Sequence, residues 1–166
     1  MTPGKILFSR LDSPVGKLLL TAAQNLLLGV YWEADDSRIQ RLMADGCYCE
    51  DRNSFLDTVV TQLGEYFRGL RSEFDLPLAP AGTAFQQRVW QRLQAIPHGQ
   101  TRTYGEIAAQ LGNPKGARAV GAAIGRNPIA IIIPCHRVIG SGGTLTGFAG
   151  GLSNKQWLLE HEQRVG

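Results

Sequence analysis

The chain has 166 residues, enough to bury a hydrophobic core in one or two domains. Its content of 43% hydrophobic and 19% charged residues excludes a disordered or fibrous protein. No run is apolar enough for a membrane span and the N-terminus carries no signal peptide, so we expect a cytoplasmic protein with no membrane partner.

The three cysteines and three histidines predict neither a disulfide nor a metal site. Cys47 and Cys49 lie too close together for an unstrained bridge, and a cytoplasmic protein keeps its thiols reduced. The six side chains are scattered along the sequence, whereas a structural zinc site needs about four well-spaced ligands. We therefore expect no metal and no cofactor.

The net charge of +3 is unevenly distributed. Residues 1–80 carry eight basic and eleven acidic side chains, whereas residues 81–166 carry nine basic and three acidic ones. A basic, acid-poor half suggests a polyanionic partner, although a solvated basic surface would give the same count.

The first half predicts a small antiparallel sheet. Residues 6–12, 17–22 and 26–32 are apolar runs of strand length separated by short turns, as in a β-meander. Residues 73–78 alternate polar and apolar side chains, which predicts one more strand, and Pro77 favours the edge of the sheet.

Two helices are expected between these strands. Ser37 is placed to cap a short helix that runs to Met43, and Ser54 to cap a longer one that Gly69 ends. The longer helix has one apolar face, formed by Phe55, Val59, Leu63, Tyr66 and Phe67. The Pro- and Gly-rich loop 77–82 then marks the expected boundary between an α/β domain, 1–80, and a second domain, 81–166.

The second half has helical periodicity. Thr83 is placed to cap its first helix, whose apolar face holds Phe85, Val89, Leu93 and Ile96. Thr103 and Glu106 form a capping box for a second helix. Ser153 and Gln156 form another for the last helix, which carries Trp157, Leu158, His161 and Glu162.

Two of these helices, 104–111 and 116–125, flank the tight turn 112–115 and predict a helix-turn-helix. The second of them has Ala117, Val120, Gly121 and Ile124 on its inner face.

This second helix is almost without large side chains. Arg118 is its one large polar residue, and Lys115 and Arg126 flank its ends. Helices that read bases in the major groove present several long polar side chains, which this helix lacks. Its small residues fit either close packing on a neighbouring helix or insertion into a narrow groove, and the basic half favours the groove.

The stretch "NPIAIIIPCHRVIG", residues 127–140, joins a reactive side chain to an apolar run. The run 129–133 predicts a buried strand that Pro134 ends, which places Cys135 at a strand end. A cysteine is most often a small core residue, but basic neighbours favour the reactive thiolate. Because neighbours in an extended chain point apart, His136 can serve Cys135 only through a turn or a bridging water.

Glu162 is the best candidate to orient the His136 imidazole, which gives a Cys–His–Glu relay. Such a relay suits an acyl-transfer hydrolase, but nothing in the sequence marks an oxyanion hole. It also suits attack on a saturated carbon, which leaves a thioether that water cannot hydrolyse. The remaining alternative is a DNA-binding protein in which Cys135 is structural or a sensor.

The segments "PCHRVIG" (134–140), "TYGEIAAQLGNPKGARAVGAAIGRNP" and "GGLSNKQWLLEHE" closely resemble the O6-alkylguanine-DNA alkyltransferases over residues 82–162. The resemblance implies an α+β protein with a ribonuclease H-like first domain and a mostly helical, winged-helix-like second domain. It implies stoichiometric, irreversible repair of O6-alkylguanine in double-stranded DNA by a monomer without an obligate protein partner. It leaves open whether O4-alkylthymine is accepted.

The resemblance also implies roles around the thiol. Cys135 would accept the alkyl group, His136 would act as its base through a water molecule, and Glu162 would orient the imidazole. Asn127 would brace the turn that carries the thiol.

On the DNA side, Arg118 would enter the duplex where the target nucleotide leaves, and Tyr104 would help to rotate that nucleotide. Val138 would offer its carbonyl to the guanine amino group, and the loop 147–151 would close the pocket. Phe148 stands where some relatives have tyrosine, and Ala149 offers only its backbone there, so tolerance of bulky alkyl groups is expected to differ. The same interface is expected to include Lys115, Ala119 and Arg126.

Overall fold

The computed structural model describes residues 5–44 and 48–165. The chain divides between Pro80 and Ala81 into two compact units. Their folds are of the predicted α+β class, with a small sheet and helices in the first unit and mostly helices in the second. Within the described residues, no helix is both long enough and apolar enough to cross a membrane.

The first unit is built on a four-stranded sheet in the order β3-β2-β1-β4. Its strands are β1 (Ile6–Ser13), β2 (Gly16–Ala23), β3 (Leu26–Trp32) and β4 (Tyr48–Glu50). The first three form the predicted meander, and Gln24 and Asn25 close the second hairpin with positive φ angles of 53° and 60°. The sheet is mixed rather than wholly antiparallel, because β4 returns after a helix and pairs parallel with β1.

The two helices of this unit are α1 (Asp36–Met43) and α2 (Ser54–Phe67). Both serines predicted as caps lie inside the helices. Asn53 is the cap of α2, since its side chain accepts a hydrogen bond from the Leu56 amide. The buried face of α2 is correspondingly shifted: Leu56, Val59, Gln62, Leu63 and Tyr66.

The predicted edge strand at 73–78 does not form. Only Leu78 makes a bridge, a parallel one with Leu27. The buried Gln62 side chain binds both backbone groups of Asp75: its Oε1 accepts from the amide at 2.9 Å and its Nε2 donates to the carbonyl at 3.1 Å. The Gln62 amide therefore satisfies the backbone of Asp75, whereas the Pro77 carbonyl and the Ala79 amide bond to the backbone of Leu27 in β3.

The second unit contains four α-helices in its described residues: α3 (Ala84–Gln94), α4 (Tyr104–Gln110), α5 (Ala117–Gly125) and α6 (Leu152–Val165). Thr83 caps α3 in a capping box with Gln86, and Thr103 caps α4 by accepting from the Glu106 amide. The strands β5 (Arg102–Thr103) and β6 (Val138–Ile139) pair in parallel. The core between the helices includes Val89, Trp90, Leu93, Ile107, Ala108, Val120 and Leu158.

The predicted capping box of the last helix is wrong. Because α6 begins at Leu152, Ser153 is its second residue rather than its cap. The Gln156 side chain donates to Glu160 one turn further along the helix. The start of α6 follows Gly151, whose φ of 91° is a conformation that favours glycine.

Candidate active site

The apolar run before the thiol is a compact loop and not the predicted strand. Its five residues, 129–133, are all buried, and Ile131 has a φ of 72°. The Asn127 side chain closes the loop: its Oδ1 accepts from the Ile129 amide at 3.0 Å and its Nδ2 donates to the Ile133 carbonyl at 2.8 Å. An apolar run of this length does not distinguish a strand from a buried loop, because both exclude water equally well.

Cys135 begins a single turn of 3₁₀ helix, Cys135–Arg137, directly after this loop. Its amide donates to the Ile133 carbonyl at 2.7 Å, and the residue is 7% exposed. The chain thus makes the turn that cooperation between Cys135 and His136 requires. Cys49 and Cys135 are both thiols, whereas Cys47 lies outside the described residues.

The imidazole of His136 contacts the carboxylate of Glu162. His136 is fully buried, and its Nε2 lies 2.7 Å from Oε2 of Glu162, which is 1% exposed. If Nε2 carries the proton that this contact needs, Nδ1 is an acceptor. Nδ1 is also buried, and no described residue forms a hydrogen bond with it. The imidazole therefore has one nitrogen fixed by the carboxylate and the other available for proton transfer.

Glu162 has a second basic partner, Arg137. The Arg137 Nε lies 2.8 Å from Oε1 and its Nη2 lies 3.0 Å from Oε2, and its Nη1 donates to the Ile96 carbonyl at 2.7 Å. The Gly99 amide also donates to Oε1 at 3.4 Å. The sequence analysis considered Arg137 only as a positive neighbour of the thiol. The available signal was the scarcity of acids in this half, since only three acidic side chains there could pair with its basic ones.

Burial and these contacts act in opposite directions on the buried pair. Burial raises the pKa of Glu162, but the hydrogen bonds and charges of His136 and Arg137 outweigh it and hold that pKa far below its usual range. Burial lowers the pKa of His136; Glu162 acts to raise it, and the charges of Arg137 and Lys155 lower it further. The pair is therefore an ionised glutamate and a neutral imidazole at neutral pH.

Lys155 is a functional candidate that the sequence analysis missed. It is 1% exposed, and its Nζ donates to the Thr146 carbonyl at 3.1 Å. The same Nζ lies 6.0 Å from the centre of the Tyr104 ring and 5.9 Å from that of Phe148. Burial lowers the pKa of Lys155, and the charge of Cys135 acts to raise it. Its spacing of three from Leu158 and seven from Glu162 places it on the inner face of α6, which was the available signal.

The pocket loop is joined to α4 as well as to α6. The Thr146 hydroxyl donates to the Tyr104 hydroxyl oxygen at 3.1 Å. A Cβ at Gly121 would lie 3.8 Å from the Tyr104 ring, so α5 lies close to that ring. In the same loop Phe148 is half-buried and Ala149 is exposed. Val138 is buried in β6, opposite Arg102 in β5.

One face of α5 is exposed and nearly flat. Arg118 is its one exposed large side chain, and it stands among the small exposed residues Ala119, Ala122 and Gly125. Lys115 and Arg126, just outside the helix, are also exposed. The buried face is Val120, Ala123 and Ile124, so Ala117 and Gly121, predicted to be inner residues, are only half-buried. Small residues thus lie on both faces of α5: Ala123 packs inwards, and the others leave a low outer surface.

In residues 5–44 and 48–165, no three His, Cys, Asp or Glu side chains are grouped so that they could hold a metal ion.

The sequence and fold are similar to those of known proteins over nearly their whole length. Residues 84–164 match the family described as 6-O-methylguanine DNA methyltransferase, DNA binding domain, and residues 6–80 match its ribonuclease-like domain. A methylated-DNA–protein-cysteine methyltransferase from Mycolicibacterium paratuberculosis is 46% identical over 163 residues, covering 95% of this chain and 92% of the relative.

Two solved structures extend the similarity to three dimensions. Mycobacterium tuberculosis O6-methylguanine methyltransferase matches with a TM-score of 0.85 and 44% identity, over 97% of this chain and 94% of that one. Mycobacterium tuberculosis OGT in complex with DNA matches with a TM-score of 0.86 and 46% identity, over 96% and 94%.

Proposed function

Because the chain belongs to the 6-O-methylguanine DNA methyltransferase family, we propose that it repairs DNA by moving the alkyl group of O6-alkylguanine onto Cys135. The observation that carries the assignment to this residue is the turn Cys135–Arg137, in which the thiol is followed by an imidazole 2.7 Å from a buried glutamate. The product is a thioether, which water cannot hydrolyse, so each molecule reacts once.

The proton of the thiol has a route in this arrangement. It would pass through a water molecule to Nδ1 of His136, while Nε2 keeps its hydrogen bond to Glu162. The sulfur then bonds to the alkyl carbon as the bond from that carbon to O6 breaks, and the guanine leaves with the electron pair and takes up a proton. Asn127 supports the step indirectly, because its side chain fixes the loop that ends at Cys135.

The DNA-facing surface would be the exposed face of α5. The solved relative in complex with DNA supports DNA as the partner. A protein helix with small outer residues can approach the duplex closely. Because O6 of the guanine is hard to reach within the base stack, the target nucleotide has to leave the DNA duplex. Arg118 is the large side chain on that face that could take its place, and Lys115, Ala119 and Arg126 would contact the backbone beside it.

The extruded guanine would enter beneath the loop 147–151. Tyr104 and Lys155 would form one wall of that pocket. Tyr104 is hydrogen-bonded to Thr146, and Lys155 lies near the rings of Tyr104 and Phe148. Val138 and Ala149 would offer backbone groups to the base. The monomeric state and the cytoplasmic location stay predictions.

The deciding experiment is incubation with a duplex that contains one O6-methylguanine with a labelled methyl group, followed by peptide mapping. We expect one equivalent of label on Cys135 and none on Cys49, which serves as an internal control thiol. Release of free labelled product with repeated turnover, or label on another residue, would contradict the proposal.

A further inference from the structure

Glu162 contacts two basic side chains, and Arg137 makes more of these contacts than His136 does. Nε and Nη2 of Arg137 contact the two carboxylate oxygens separately, whereas His136 contacts Oε2 alone. Such a paired, fork-shaped contact is the geometry in which arginine binds a carboxylate most strongly. Arg137 is 6% exposed, so water weakens this contact little.

Burial disfavours a proton on His136, and the charges of the cluster modify this effect. Glu162 and Arg137 together are neutral, so a proton on His136 would leave a net positive charge in a buried place. If Arg137 were absent, the same proton would neutralise Glu162 and would be more favoured. Arg137 therefore offsets part of the attraction that a carboxylate normally exerts on a proton of its histidine.

The other groups near His136 do not restore that effect. Lys155 on α6 is a second buried cation, and its charge disfavours a proton on His136. Cys135 lies in the same 3₁₀ turn as His136. His161 on α6 and His98 before β5 complete the group of titratable side chains around Glu162 and Arg137. The second half's remaining acids, Glu106 and Glu160, are exposed.

We propose that Arg137 is a positioning residue that, by holding both oxygens of Glu162, keeps His136 neutral and able to take the proton of the Cys135 thiol. This inference rests on the proposed function for its consequence, the rate of alkyl transfer, but not for the state of His136 itself. Glu162 then fixes the orientation of the imidazole, while Arg137 weakens its attraction for a proton on that ring. The third contact of Arg137, from Nη1 to the Ile96 carbonyl, gives the guanidinium a further fixed partner.

The test is the titration of His136 in the DNA-free protein, followed by NMR with labelled histidine and assigned with His98→Gln and His161→Gln. We expect Arg137→Met to raise the proton affinity of His136 by about tenfold or more, and Glu162→Gln to lower it. Arg137→Lys keeps the charge but loses the forked contact with both carboxylate oxygens, so the proton affinity of its His136 should lie between those of the natural protein and Arg137→Met.

The double variant Arg137→Met/Glu162→Gln guards against misfolding, because removing both charges of a buried pair is tolerated better than removing one. Its His136 should bind a proton more tightly than that of Glu162→Gln alone, since only the single variant keeps the arginine charge. Equal titration in these two variants, or an unchanged titration in folded Arg137→Met, would overturn the proposal.

Transfer rates from methylated duplex give the second measurement. In Arg137→Met the rate should begin to fall at a higher pH than in the natural protein, and in Arg137→Lys it should begin to fall at a pH between the two. A loss of rate that is equal at every pH would indicate a purely structural arginine and would overturn the proposal. If the natural protein itself transfers no label, the proposed function fails, while the titration still decides the role of Arg137.

Discussion

The surroundings of Glu162 and the outer face of α5 differ in almost every physical respect. Around Glu162 the side chains are buried, charged and paired, with contacts of 2.7 to 3.0 Å. On α5 the outer residues are exposed and mostly small, and Arg118 stands alone among them. Proton transfer needs groups held at fixed distances away from water, whereas a duplex needs a surface that it can approach. Substitutions in the first region should therefore change stability and chemistry together, and those in the second should change only the reaction with DNA.

The largest effect is expected from Cys135→Ala, which should abolish alkyl transfer and leave affinity for duplex DNA within about twofold. Transfer is lost because the thiol supplies the sulfur of the new bond. Affinity is kept because Cys135 is buried and is not part of α5, whose exposed face is proposed to bind DNA. Labelled transfer and fluorescence anisotropy measure the two properties. Residual label on the protein would mean that another residue is the acceptor.

Glu162→Gln should reduce the free energy of unfolding by about 3 kcal/mol, because it leaves the buried Arg137 charge without its partner. It should slow alkyl transfer as well, since the imidazole loses its fixed orientation. Urea denaturation and the transfer rate test the two effects. Glu160→Gln, on the exposed side of the same helix, is the matched control and should change stability by less than about 0.5 kcal/mol. An equal loss of unfolding free energy in both variants would mean that the buried cluster contributes no more to stability than the exposed side of α6.

Arg118→Ala should show the opposite pattern. We expect transfer from duplex DNA to fall by tenfold or more, because no other large side chain on α5 can occupy the place of the extruded nucleotide. Stability should be unchanged, and so should the reaction with free O6-methylguanine base, which needs no extrusion. Arg126→Ala is the control. It should weaken DNA binding and reduce the slope of log affinity against log salt concentration by about one, with little further effect on the transfer rate. If Arg118→Ala repaired the duplex at the natural rate, its role in extrusion would be wrong.

The smallest effect concerns pH and belongs to the buried region alone. Because the pKa of His136 is lower in the folded protein than its ordinary value of 6.5, the unfolded chain binds more protons below that pH. Stability should therefore fall as the pH is lowered from 7 to 5, by up to about 1.4 kcal/mol per pH unit for this residue. Urea denaturation across this range measures it. His136→Gln should flatten the dependence, and a steeper fall in that variant would contradict the assignment.

Much of the molecule could be predicted from local sequence signals. The meander strands follow apolar runs between turn residues, and Thr83 and Thr103 cap helices where predicted because a side-chain hydroxyl needs only the next turn as its partner. The pairing of His136 with Glu162 was predictable because residues 81–166 hold only three acids. Other expectations failed because local sequence does not mark the deciding partner. Gln62 holds the backbone of Asp75 in the segment where an edge strand was expected, and Asn127 closes a loop out of residues that resemble a strand.

The sequence by itself determined the inventory: a thiol beside an imidazole, a helix of small residues with one arginine, and a family motif that joins them. The tertiary structure decided how the charges are shared. Arg137 and Glu162 are 25 residues apart, and Lys155 approaches the loop at Thr146 only because α6 packs its inner face there. Local sequence patterns predict which residues will be buried. They do not predict the partner of a buried charge, because that depends on distances between helices and loops that come together only when the chain folds.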